Sequence, residues 1–344
     1  MLNGVLTADQ SRHEFVSVVI PCFNEEEFIG KTLENLASQY DPSRYEIIVV
    51  DGMSSDHTRA VIQLFQRTQP QVAVRILDNP ARYIPTALNI GIKAARGEIV
   101  ARMDAHAVPS AGYVRRCVKV LAENSNGVVG APCDVRPATN TLMARAIAAA
   151  VSNRFGIGDA KYRLQSGKAE QESVDTVAFS CFRKELWESL GGFNEELLAN
   201  EDYDFNYRVR VSGGSVLLDR TEHCDYFARA TLGGLARQYF RYGQWKARML
   251  KLHPRSIRWR HVVAPIFVVS ILALGVLGLF WSLAVWLLGL ELAVYLVLAL
   301  LLGRQRGRGV VDSLALTFLM PLVFLTIHLA WGVSFFRGLM GNSR

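Results

Sequence analysis

Residues 98–109 read EIVARMDAHAVP. Ile99, Val100 and Ala101 make a short apolar strand that Asp104-Ala105-His106 and then Pro109 cut off. Two metal-capable side chains, one residue apart at the carboxyl end of a strand, suit a divalent cation at the lip of an α/β sheet. The plain alternative is an aspartate that caps the following turn and a histidine that merely sits in it. The flanking segments decide between the two.

Upstream, Val16 to Pro21 is a continuous apolar run of strand length, ending in Pro21-Cys22-Phe23-Asn24. Glu25 to Ser38 follows with Phe28, Ile29, Leu33 and Leu36 at helical spacing. Ile47 to Val50 is a second β-branched run, closed by Asp51-Gly52, after which Asp56 can cap a helix carrying Val61, Ile62, Leu64 and Phe65. Val72 to Leu77 is a third strand, Pro85 to Ala95 a third helix with proline in its first turn, and Ile99 to Met103 a fourth strand. Four alternations of apolar strand and helix predict a mostly parallel sheet, covered on both faces, that binds ligands at the carboxyl ends of its strands. Glu25, Asp51 and Asp104 all lie at or just beyond such ends, which points to a nucleotide-and-metal site.

Downstream, the pattern predicts helices over Ala111–Asn124, Leu142–Val151, Lys184–Leu190 and Glu201–Val211, the last opening with two carboxylates. Strands are expected at Val128–Ala131, Val174–Arg183 and Ser215–Leu218, the last just before His223. The polar stretch 153–174 reads as a mobile loop over the site, with a plain linker as the alternative. From Leu235 to Leu252, the residues Leu235, Tyr239, Tyr242, Trp245, Met249 and Leu252 share one face; Arg237, Arg241, Arg248 and Lys251 share the other. That helix is expected in a membrane interface, with packing on the catalytic domain as the other reading.

Three membrane segments follow, at Val262–Phe280, Leu283–Leu302 and Leu314–Phe336. Arg304, Arg306 and Arg308 should be cytoplasmic. A third full span would leave Arg337 and Arg344 outside, so a re-entrant third segment is the alternative. Glu291 is the lone acid within the spans, where a carboxylate is costly enough to expect a partner or a role. The expected organisation is a lead-in over 1–14, a catalytic domain over 15–230, an interfacial segment over 231–260 and a membrane domain over 261–340.

Half of the 344 residues are hydrophobic, and most of the excess sits in 262–336. The net charge of +7 therefore belongs mainly to the surface beside a membrane. Nucleic acid is the rival explanation, but no nucleic-acid motif is present. The five cysteines stand singly, without a CxxC pair, as reduced thiols do in a cytosolic domain. Met1 to Glu14 lacks the apolar core of a signal peptide. The expected place is a membrane, multi-pass, with the soluble part in the cytoplasm.

Read together, VSVVIPCFNEEEFIGKTL, EIIVVDGMSSDHT, ARMDAHAVP and GGFNEELLANEDYDFNYRV resemble glycosyltransferase family 2, the inverting enzymes with the GT-A fold. NPARYIPTALNIGI, SNRFGIGDAKYR, VDTVAFSCFRKE and QYFRYGQWKARML are similar to its bacterial exopolysaccharide branch of succinoglycan type. The likeness runs over residues 15 to 255 in motif order. It implies a nucleotide-sugar donor, a UDP-sugar foremost, bound by Pro21, Asn24, Glu25, Asp51 and Asp104, with Arg82 and Asn89 beside it. It implies Asp202 as the base that takes the acceptor hydroxyl proton, next to Glu201. For both acids, simple helix capping is the alternative.

Two departures matter. The second Asp of the family's DxD motif is His106 here, and imidazole suits Mn²⁺ better than Mg²⁺. The resemblance implies a metal held by Asp104, with His106 as ligand or diphosphate hydrogen-bonder, and with His223 as the further histidine that GT-A enzymes often supply. On the acceptor side, Gln238, Arg241 and Tyr242 stand where the family's synthases have Q-x-x-R-W. Tyrosine can still stack on a sugar and Arg241 can reach a phosphate, but the lost tryptophan and small membrane region weigh against a processive synthase. The expected partners are membrane lipids, a polyprenyl-diphosphate-linked saccharide acceptor and other polysaccharide-assembly proteins. Transfer to bare polyprenyl phosphate is the alternative acceptor reading. From another class, a non-catalytic nucleotide-sugar-binding subunit of an export complex remains, which the intact Glu201-Asp202 pair argues against.

Overall fold

Tyr45 to Asp51 is buried along its whole length, as a central strand with helices on both faces must be. The computed structural model describes residues 14–164, 167, 169–305 and 307–341. The expected lead-in thus lies outside the described residues but for Glu14, as do Arg306 and Arg344. The strands are β1 (Val16–Cys22), β2 (Tyr45–Asp51), β3 (Ala73–Asp78), β4 (Ile99–Arg102), β5 (Ala107–Pro109), β6 (Gly127–Gly130), β7 (Cys133–Pro137), β8 (Gln171–Ser173), β9 (Cys181–Arg183), β10 (Ser215–Asp219) and β11 (Cys224–Ala228). The helices are α1 (Ile29–Leu36), α2 (Thr58–Thr68), α3 (Ile84–Ala94), α4 (Tyr113–Glu123), α5 (Leu142–Ala150), α6 (Arg154–Ile157), α7 (Lys184–Ser189), α8 (Glu201–Val211), α9 (Leu232–Leu252), α10 (Trp259–Leu277), α11 (Ser282–Leu302) and α12 (Val310–Met340).

The chain forms two compact units, residues 1–134 with 165–226 and residues 135–164 with 227–344. The first carries an eight-stranded sheet in the order β3-β2-β1-β4-β9-β6-β10-β8. Its β3-β2-β1-β4 half is parallel, as the alternation predicts, and the register brings Cys22, Asp51 and Asp78 to one level at the carboxyl edge. The other half is mixed, because β9 enters antiparallel between β4 and β6. Helix α3 lies close on this sheet through Gly91: a Cβ there would stand 2.4 Å from Val19 Cγ1 and 2.9 Å from Val50 Cγ2. Gly91→Ala is therefore expected to destabilise the unit by about 1–3 kcal/mol, read as a lowered melting temperature.

Strand Val174–Arg183 is shorter than the sequence reading expects, spanning Cys181–Arg183. The residues before it are bonded to α8 instead: Tyr203 Oη donates to Asp175 Oδ2 (3.0 Å) and Asn206 Nδ2 to Thr176 Oγ1 (2.9 Å) and the Val177 carbonyl (3.1 Å). The polar stretch 153–174 is also not a loop throughout. It holds α6, a 3₁₀ turn over Lys161–Arg163, and β8, which pairs antiparallel with β10; residues 165, 166 and 168 lie outside the described residues.

In the second unit, α10, α11 and α12 are long and apolar enough to cross a membrane, at 19, 21 and 31 residues. At 1.5 Å per residue α12 is about 46 Å long, well beyond a hydrocarbon core of about 30 Å, and it runs unbroken past both ends of the expected span Leu314–Phe336. The apolar stripe of α9 is partly covered: Leu235 and Tyr239 are buried in one cluster with Met320, Val323 and Phe324 of α12, whereas Leu252 stays exposed. Glu291 has the partner its position calls for, since Ser270 Oγ of α10 donates to its Oε1 at 2.5 Å.

Candidate active site

Five non-glycine residues adopt left-handed backbone among the described residues: Asn24, Met53, Arg82, Phe179 and Asn200. Such backbone costs about 1–3 kcal/mol each and collects where a site needs it. Asn24, Met53 and Arg82 follow β1, β2 and β3, Phe179 precedes β9, and Asn200 precedes α8.

At the β1 and β2 ends, the Asn24 amide nitrogen donates to Ser54 Oγ (2.9 Å) and the Asn24 side chain accepts from the Ser55 amide (2.9 Å). Asp51 is fully buried, accepts from Ser54 Oγ (2.6 Å) and pairs with Arg59 Nε (3.0 Å). Pro21 is half-buried in β1 itself. Arg82 places its guanidinium 5.6 Å from the centre of the Phe23 ring, close to the same two loops. Asn89 is otherwise engaged: its amide donates to the Phe193 carbonyl (2.9 Å) and Glu195 Oε1 (2.8 Å) and accepts from the Phe193 amide (2.9 Å). It fastens α3 to the loop that leads towards α8.

His106 meets Glu25: Nδ1 lies 3.0 Å from Oε1, so the residue after β4 and the acid after β1 share one site. Asp104 is drawn the other way. Arg102, on β4 and only 7% exposed, lies with Nη2 3.6 Å from Asp104 Oδ1 and 2.9 Å from Glu201 Oε1. One guanidinium thereby joins the strand end to the first residue of α8. Asp202 follows at the same helix start and accepts from the Tyr203 amide (2.7 Å). The helix is fixed behind the acids by Phe205, which packs at 5.0 Å from Phe182 and 4.9 Å from Phe193, and by Arg208, which bonds the Leu190 and Gly192 carbonyls.

Burial pushes Glu201 up to about 7, against the pull of Arg102 and with Asp202 adding to the rise. An unfolded carboxyl titrates near 4.5, so the fold takes up a proton between about pH 4.5 and 7. Stability from this group is complete below that window and is lost as pH rises through 7. Melting temperatures recorded from pH 5 to 8 should fall through that range, reporting a loss of stability of order 3 kcal/mol at full titration, and Glu201→Gln should flatten the fall.

His223 lies with Asp134 and Asp225, all three ligand atoms within 4.8 Å of one another. The small sheet β5-β11-β7 builds this group. Val108 opposes Asp225, while Pro109 opposes Cys224 and Ala107 opposes Tyr226. Cys224, Cys133 and Ala107 are buried against the core, so Asp134, Asp225 and His223 fall on the other face by strand alternation. Among the described residues, this is the group of three whose ligand atoms converge; Asp104 and His106 are not in it. In the second unit, Gln238 Nε2 donates to Tyr242 Oη (3.1 Å) on α9, one turn apart, with Arg241 between them in sequence.

Arg102, Asp134 and Asp225 were not singled out by the sequence reading. Arg102 had a signal, being the one charged residue in an otherwise apolar strand. Asp225 had the same signal as His106, standing two residues after His223 as His106 does after Asp104; Asp134 had none, since only the pairing of β7 with β11 brings it to His223.

The glycosyl transferase family 2 profile matches residues 17–191, half of the chain. The chain belongs to glycosyl transferase family 2. Among curated relatives, the family member here is 27% identical to the succinoglycan biosynthesis protein ExoA of Rhizobium meliloti, over 98% of this chain and 99% of that protein. It is 25% identical to the dolichyl N-acetyl-alpha-D-glucosaminyl phosphate 3-beta-D-2,3-diacetamido-2,3-dideoxy-beta-D-glucuronosyltransferase of Methanococcus voltae, over 96% of this chain and 98% of that one. Its fold is similar to that of the mannosyltransferase PcManGT of Pyrobaculum calidifontis, solved with GDP-Man and Mn²⁺, at a TM-score of 0.62 and 19% identity over 98% of this chain and 93% of the other. The family 2 fold is thus GT-A, as the resemblance implies, and the protein is a glycosyltransferase.

Proposed function

We propose that the protein is an inverting glycosyltransferase that moves a sugar from a nucleotide-sugar, a UDP-sugar foremost, onto a polyprenyl-diphosphate-linked saccharide in cell-surface glycan synthesis. The observation that carries this reading is the convergence on Arg102, which puts the Asp104 strand end and the Glu201-Asp202 helix start in one site. Asp51 and Glu25 hold the nucleoside at the neighbouring strand ends, with Asn24, Pro21 and Arg82 beside it. Asp202 takes the proton of the acceptor hydroxyl as its oxygen attacks the anomeric carbon, and the nucleoside diphosphate leaves from the opposite face.

The departing diphosphate gains charge, and a divalent cation fits this chain. Asp134, His223 and Asp225 offer two carboxylates and an imidazole within 4.8 Å, a donor set that suits Mn²⁺ better than Mg²⁺. When bound, the cation supplies neutralising charge. His223→Ala is expected to weaken Mn²⁺ binding at least ~10-fold, as measured by titration. Asp104, with His106, faces the donor from the strand end.

The lipid-linked acceptor is supported by the two full-length relatives, one named for succinoglycan biosynthesis and the other for a dolichyl phosphate-linked sugar. It is supported as well by the three apolar helices. Gln238, Arg241 and Tyr242 on α9 are assigned to the acceptor's sugar and phosphate groups, at the cytoplasmic face of a bacterial inner membrane. Membranes carrying the protein, supplied with a panel of UDP- and GDP-sugars and Mn²⁺, should label lipid-linked saccharide. Labelling of bare polyprenyl phosphate instead would reassign the acceptor, and no release of nucleotide from any donor and acceptor pair would defeat the reading.

A further inference from the structure

Arg102 is buried together with the acid it pairs with, Glu201. Its backbone is held on both sides, by its amide donating to the Ser180 carbonyl (2.8 Å) and the next amide, of Met103, to the Val19 carbonyl (3.1 Å). Of its guanidinium nitrogens, Nη2 serves both Glu201 and Asp104, while Nε and Nη1 are buried without a hydrogen-bond partner among the described residues. An unpaired buried donor costs about 1–3 kcal/mol, more on a charged group, and a buried ion pair is on balance a weak source of stability. A pair built only to hold the fold would be better served by apolar packing. What the arginine does provide is a rigid planar group whose Nη2 bridges two acidic elements, each fixed from behind: β4 by its strand neighbours, α8 by Phe205 and Arg208. A lysine would offer a point charge without that geometry.

We propose that Arg102 is a positioning residue for sugar transfer: its guanidinium fastens the Asp104 strand end to the Glu201-Asp202 helix start, setting the distance between the bound donor and the base. This rests on the reading of Asp202 as base. Displacement by about 1 Å can cost ~10²-fold in rate without a matching loss of binding.

The test uses the full-length protein in detergent, with four variants, Arg102→Met, Arg102→Lys, Glu201→Gln and the double Arg102→Met/Glu201→Gln. Transfer kcat, donor KM, Mn²⁺-UDP affinity and melting temperature are read for each. Arg102→Met should lower kcat ~10²-fold with donor affinity within ~3-fold, and Arg102→Lys should recover only part of the loss. Should Arg102→Met fail to fold, the double variant still decides. Glutamine keeps an acceptor for the arginine but carries no charge to be neutralised, so in the Glu201→Gln background Arg102→Met should still lower kcat by a further ~10-fold or more. No further loss there would show that Arg102 only offsets the buried Glu201 charge, overturning the proposal. A donor affinity that falls in step with kcat would make Arg102 a binding residue and overturn it equally. Failure of the base reading looks different: Asp202→Asn would remain active whatever Arg102 does.

Discussion

Asp202→Asn lowers sugar transfer by about 10³-fold and leaves Mn²⁺-UDP binding within a few-fold of the parent, on this account. General-base removal is worth 10²–10⁴ in rate. Asparagine keeps the size of the side chain and an oxygen to accept from the Tyr203 amide, so the helix start survives the change. What disappears is the lone pair that receives the acceptor proton. Turnover measured with lipid-linked saccharide, beside titration of Mn²⁺-UDP into the same preparation, separates loss of chemistry from loss of the site. Retained turnover would remove Asp202 from the mechanism.

The second large effect lies one turn further along the same helix. Phe205 is 1% exposed and packs against Phe182 of β9 and Phe193 of the preceding loop. Phe205→Ala opens a cavity beneath α8 and should cost about 3–5 kcal/mol of stability, seen as a large drop in melting temperature. Because the cavity lies under the acids, kcat measured well below the new melting temperature should fall as well. Stability lost with kcat unchanged would mean that the acids are held by Arg102 alone and not by the aromatic cluster.

The parallel half of the sheet could be read from residues 15–103 because each strand there is a local apolar run and each helix a local period. The other half depends on pairings between distant segments. Nothing near Cys181 in sequence says that it enters antiparallel beside β4, and the run Val174–Arg183 looks like one strand although Asn206 and Tyr203 claim its first residues. The stretch 153–174 carries no period, yet β8 forms because β10 offers an edge. At the candidate site, Glu25, Asp51, Asp104, Glu201 and Asp202 could be proposed from sequence because each stands at or just beyond the end or start of an element. Of the Asp134-His223-Asp225 group the sequence reading takes only the histidine; Asp225 stands two residues from it, whereas Asp134 arrives by the pairing of distant strands. Arg102 could be seen but not interpreted until its two carboxylates were in place.

Direct displacement with Asp202 as base predicts one stereochemical outcome. The lipid-linked product formed from an α-linked UDP-sugar, released and examined by proton NMR, should carry the new linkage in the β configuration. An α-linked product, with the donor's configuration retained, would contradict the account.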